Sequence, residues 1–124
     1  MQAVHPALED IEELSASIKN EKMWSREIAV FLYDQNKKVG LMKRRYGEIG
    51  ESIVLVVCSP EYLLFNPDNW EQDEVNKFYV QESYNSQKVR KYIKSKIDEI
   101  GTVSIELLYS KLNHYFILDP KEWP

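Results

Sequence analysis

The sequence predicts an α+β fold, a mostly antiparallel β-sheet packed with two α-helices, or three if residues 25–47 are helical. Three observations carry this. The run Ile53 to Cys58 is apolar on both faces, as a covered central strand is. Residues 86–100 show an apolar stripe at helical spacing, stopped by Gly101. Short runs rich in β-formers lie on either side, bounded by polar turns.

Taken in order, the chain starts with a predicted helix over 6–22. Pro6 suits a first helical turn, where its missing N–H costs nothing. Glu9, Asp10, Glu12 and Glu13 sit near the positive end of that helix's dipole. Leu8, Ile11, Leu14 (or Ser15) and Ile18 recur at helical spacing. Residues 25–47 support two readings. As a helix, Ile28, Leu32, Val39, Met42 and Tyr46 share a face. As a hairpin, 28–33 and 39–45 are strands around the polar turn 34–38. The hairpin is preferred, because Gly40 inside a helix costs about 1 kcal/mol and Val30 and Leu41 would be stranded on its polar face.

Residues 53–58 form the central strand, ended by Ser59-Pro60. Residues 66–70 read as a loop and 77–82 as a short strand. A helix over 86–100 follows, with Ser86 as cap; Val89, Tyr92 (or Ile93), Lys96 (or Ile97) and Ile100 trace its buried stripe, with Ile93 and Ile97 at the centre. Residues 102–109 and 115–118 read as two strands joined at 110–113.

The 124 residues, 44% hydrophobic and 29% charged, suit one domain with a real core and exclude a low-complexity chain. A single cysteine, Cys58, excludes an intramolecular disulfide framework. No apolar run reaches membrane-spanning length, and the first residues lack the basic flank and apolar segment of a secretory signal. The expected location is the cytoplasm.

The net charge is −4, and the charge is blocked along the chain. Residues 1–24 carry five acids and two bases, 25–47 six bases and two acids, 48–84 eight acids and one base. Residues 85–101 carry five bases and two acids, and 102–124 three acids and two bases. The largest acidic block contains Asp68, Trp70, Glu71, Asp73 and Glu74, a large aromatic among carboxylates. With Tyr79 and Tyr84 these form the candidate partner-binding set, because aromatics anchor interfaces and carboxylates steer a basic partner.

The first functional expectation is therefore a small acidic protein-binding module, in its most specific form an inhibitor or immunity-type protein occluding a basic target such as a nuclease. A second uses the basic blocks, Lys37, Lys38, Lys43, Arg44 and Arg45 with Lys88, Arg90 and Lys91, to bind nucleic acid. A third is a small enzyme with Cys58 as nucleophile and His114 as base. No metal or cofactor is expected: the chain has two histidines, and its glycines match no phosphate-binding loop. The oligomeric state is open, since an exposed strand edge can pair with a copy of itself.

Overall fold

A computed structural model of the chain describes residues 3–35, 39–40, 53–65 and 70–118. Its centre is a long antiparallel hairpin, β2 (Pro6–Asn20) and β3 (Met23–Asp34), following the short β1 (Ala3–Val4). Strand β4 (Val39–Gly40) returns against the end of β3, with Tyr33 opposite Gly40 and Asp34 opposite Val39. Strand β5 (Ile53–Cys58) pairs antiparallel with the first half of β3, Ser25 facing Cys58 and Ala29 facing Val54. On its other side β5 takes β6 (Tyr79–Val80) in parallel and β8 (Ile117–Leu118) antiparallel. The helices are α1 (Pro60–Phe65), α2 (Gln72–Val75), α3 (Ser86–Ile100) and α4 (Ile105–Leu112). Strand β7 (Val103–Ser104) joins α3 to α4 and pairs with β1.

The fold class is the expected mixed α+β, with antiparallel pairing dominant. One sheet face carries the main core. Trp24, Ile28, Val30 and Leu32 of β3 and Ile53, Leu55 and Val57 of β5 meet Val89, Ile93 and Ile97 of α3, Leu108 and Leu112 of α4, and Phe116. Val89, Ile93 and Ile97 follow at four-residue steps, which places them on one side of the helix. The opposite face also excludes water: Ala29, Phe31, Val56 and Cys58 are buried. Strand β5 is thus covered on both faces, as its unbroken apolar run requires.

The predicted helix over 6–22 is strand β2 instead, and the reason is local. Three extra residues, Glu9, Leu14 and Lys19, interrupt its register with β3. Each bulge resets the two-residue alternation. The residues sharing the core-side row are then Leu8, Ile11, Glu13, Ala16 and Ile18, opposite Leu32, Val30, Ile28, Arg26 and Trp24. Steps of three and two imitate a helical apolar stripe. The turn that closes the hairpin is held by Asn20, whose Oδ1 accepts the backbone N–H of Lys22 at 2.8 Å and of Met23 at 3.0 Å.

The preferred hairpin reading of 25–47 agrees with β3 and β4; residues 41–47 lie outside the described residues. The strand expected over 102–109 is corrected to the two-residue β7 followed by helix α4. Ser104 caps that helix by accepting the Leu107 N–H at 3.3 Å, and Leu108 and Leu112 turn the same side inward. Its partner strand at 115–118 is present as β8. The expectation of two or three helices also changes: α1, α2 and α4 replace the helix at 6–22, and α3 stands as read. The cap of α3 is Asn85, which accepts the Lys88 N–H at 3.0 Å, rather than Ser86. Gly101 ends α3 at φ 66° and ψ −150°, a region that side-chain-bearing residues rarely enter.

Two stability results are expected from chemical denaturation. Ile93→Ala, in the middle of the core, lowers stability by about 2–5 kcal/mol. Gly101→Ala lowers it by about 1–3 kcal/mol, although a methyl group there meets no atom within 4 Å.

Candidate functional site

Strand β2 ends the sheet and pairs, among the described residues, with β3 alone. Every residue from Glu12 to Asn20 is exposed, and so are Glu9 and Asp10. Four carboxylates, Glu9, Asp10, Glu12 and Glu13, therefore lie along one rim. Asp10 reaches Arg90 of α3 at 3.4 Å, Glu13 pairs with Arg26 of β3, and Glu9 too is engaged within the fold. The Glu12 carboxylate has no hydrogen bond or ion pair with the described residues. Such exposed pairs contribute little stability, typically about 0–1 kcal/mol, so the rim is acidic at small cost to folding.

The far end of the same hairpin borders an open cleft of about 560 Å³. Its floor holds Trp24, Arg26 and Tyr84; Ile18, Glu21 and Lys22 come from the hairpin end, and Glu82 and Ser83 from the loop before α3. Trp24 meets Tyr84 edge to face, with ring centroids 5.9 Å apart. The Arg26 guanidinium lies 4.3 Å from the centroid of the Tyr84 ring. Held by that ring and by Glu13, the guanidinium is fixed in place, and its Nε stays buried without an acceptor. Burial raises the Tyr84 hydroxyl above its ordinary pKa, Glu13 adds to the rise and Arg26 opposes it. Ile18 is 58% exposed beside this floor. A second open space of about 460 Å³ continues along residues 79–85 to Lys88 and shares Glu82, Ser83 and Tyr84.

The loop is positioned by Gln81, which is buried. Its backbone N–H donates to the Cys58 carbonyl at 2.9 Å. Its side chain accepts the Asn85 N–H at 3.1 Å and donates to the Asn85 carbonyl at 3.3 Å. Residues 82–84 are thereby tied to the end of β5 and the start of α3.

The partner-binding set expected from sequence divides. Tyr79 and Tyr84 both line the second open space, so the fold brings them together. Tyr79 is stacked on Tyr92 at 4.2 Å. Trp70 folds back: its indole meets Phe78 edge to face at 5.2 Å and donates to the Tyr62 hydroxyl at 3.3 Å. Glu71 and Glu74 form a reciprocal capping box at the start of α2. Asp73 is exposed on that helix, and Asp68 lies outside the described residues. The cleft residues Ile18, Glu21, Trp24 and Arg26 were missed. The signal was the polar stretch Asn20-Glu21-Lys22 between Ile18 and Trp24, which is turn chemistry.

Of the basic blocks, Lys37, Lys38, Lys43, Arg44 and Arg45 lie outside the described residues. On α3, Lys88, Arg90 and Lys91 are exposed. Arg90 is paired with Asp10, Lys94 with Asp98 at 2.6 Å, and Lys96 with Glu99 at 3.8 Å. Lys96 also lies 5.6 Å from the Tyr92 ring centroid and 5.1 Å from that of Tyr115. Much of this charge is answered within the fold.

Cys58 is fully buried at the end of β5, and burial pushes its thiol from 9.0 up to about 11. That leaves the thiol protonated at neutral pH, the opposite of a nucleophile's need. His114 is exposed in the turn after α4, its ring 6.3 Å from that of Tyr115. Among the described residues no group of three His, Cys, Asp or Glu side chains is placed to hold a metal ion. No described helix is long and apolar enough to cross a membrane.

No family model, curated protein or solved structure matches the chain.

Two outcomes follow from the Cys58 environment. At neutral pH a thiol reagent labels Cys58 no faster than the native protein unfolds. Because the folded thiol holds its proton more tightly than the unfolded one, the unfolded chain releases protons first as pH rises. Stability from this group is complete below about pH 9 and is lost on the way to about pH 11. Cys58→Ala removes that part of the slope.

Proposed function

We propose that this chain is an acidic protein-binding module that docks onto a basic protein surface, in the manner of an inhibitor that occludes its target. The supporting observation is the continuity between the acidic rim of β2 and the aromatic-floored cleft at the far end of the hairpin. The rim supplies carboxylates in a row, which attract a basic surface from a distance and speed encounter. The cleft supplies what charge alone lacks. Ile18 and the aromatic floor offer apolar area to desolvate, and the fixed Arg26 and the carboxylates of Glu21 and Glu82 offer directional polar contacts. The hairpin is anchored in the core through β3, so this surface is held ready and little ordering accompanies binding.

The roles differ from those read off the sequence alone. The acidic, aromatic docking surface moves from residues 68–74, whose Trp70 packs on Phe78 and bonds to Tyr62, to the β2–β3 hairpin and Tyr84. The acids at 71 and 74 are engaged in a helix cap.

The test is affinity capture from the native lysate with the wild-type chain and a Glu12→Lys/Glu21→Lys variant, with and without nuclease treatment, at low and moderate salt. The expected result is a stoichiometric, nuclease-resistant protein partner whose association weakens as salt rises and falls about tenfold or more in the variant. Recovery of nucleic acid alone, or a protein partner held equally by the variant, overturns the reading.

A further inference from the structure

We infer that the outer edge of β2 receives an extended, basic segment of the partner as an added β-strand. This rests on the docking reading above and names its mode. An edge strand carries backbone N–H and C=O groups with no strand beside them, and these can be paired by an incoming extended chain. β2 pairs with one strand, β3, among the described residues; α3 meets it through the Arg90–Asp10 pair, and its side chains are exposed from Glu12 to Asn20. The bulges at Glu9, Leu14 and Lys19 limit where regular pairing can occur. Between the first two, Asp10, Ile11, Glu12 and Glu13 keep an unbroken register with β3, opposite Phe31 to Ile28. That stretch is long enough for a short added strand and too short for an extended sheet.

Charge decides the occupant. Three of those four residues are carboxylates; Asp10 shares its charge with Arg90 and Glu13 with Arg26, and the Glu12 carboxylate has no partner among the described residues. A second copy of this chain paired over the same stretch would set its own three carboxylates against them, and like charges directly opposite are destabilising. A segment alternating Lys or Arg with apolar residues meets opposite charge across the strand pair instead, while its backbone completes the edge. The bulges and the acidic run thus keep the edge from pairing with itself and leave it open to a basic strand.

The experiment uses the whole chain and three end-capped hexapeptides. One is the alternating Lys-Val sequence. The second is that sequence N-methylated at two adjacent central residues, which blocks hydrogen bonding along both of its edges and keeps its charge. The third replaces Lys by Glu. Binding is followed by NMR titration and by amide exchange. The expected result is slowed exchange confined to amides of residues 10–13 with the Lys-Val peptide, at least tenfold weaker binding of the methylated form, and none of the Glu form. Glu12→Lys abolishes the response. Equal binding of both Lys peptides, lost in Glu12→Lys, overturns strand addition and leaves the acidic docking surface standing. Binding of the Glu peptide, or of no peptide at low salt, overturns both.

Discussion

The structure depends on the double pairing of β3. Its backbone satisfies β2 along one side and β5 and β4 along the other, while its side chains fill both sheet faces. A buried backbone group without a partner costs as much as a lost hydrogen bond, so twelve residues of β3 impose order on everything beside them. Trp24, Ile28, Val30 and Leu32 set the footprint on which α3 packs. Ser59 ties the end of β5 back to the same strand: its Oγ accepts the Trp24 N–H at 3.1 Å and the Tyr62 N–H at 3.3 Å. At the other end the buried Asp34 carboxylate accepts the His5 N–H at 3.0 Å, so the chain's entry into β2 is fixed by the strand it pairs with.

The same arrangement explains why the surface of interest lies where it does. β3 is central, β2 is its rim, and the side chains of β2 are exposed from Glu12 to Asn20. Bulges and carboxylates are the means by which an exposed strand avoids pairing with copies of itself. Here they coincide with the only regular acidic stretch between two bulges on that strand. The cleft beyond it forms because Gln81 draws residues 82–84 toward the end of β5, placing Tyr84 over Arg26 and against Trp24.

Legibility in the sequence followed the simplicity of the pattern. Ile53 to Cys58 is apolar at every position, and α3 repeats Val89, Ile93 and Ile97 before a glycine that the backbone needs; both were readable. β2 was not, because its bulges turn a two-residue alternation into steps of three and two that pass for a helix. The helix α4 was hidden differently. Val103, Ile105 and Leu107 alternate as a strand does, and the capping Ser104 with Leu108 and Leu112 was the stronger signal. At the candidate site the acidic character of 9–13 was legible, but assigned to the start of a helix. Trp70 among carboxylates looked like an anchor, and its contacts with Phe78 and Tyr62 are tertiary facts no local pattern contains. The cleft joins residues sixty positions apart, Trp24 and Tyr84, and needs the fold to exist.

The decisive measurement is residue-resolved amide exchange of the isolated chain, which asks whether β2 is a bulged strand held by β3 with its outer edge unpaired, as it is among the described residues. Strong protection is expected throughout the middle of β3, and along β2 a mixture in which amides facing β3 are protected and outward-facing ones exchange nearly as in an unfolded chain. Continuous protection from residue 6 to 20 would contradict it, since that is the signature of a helix or of an edge already covered.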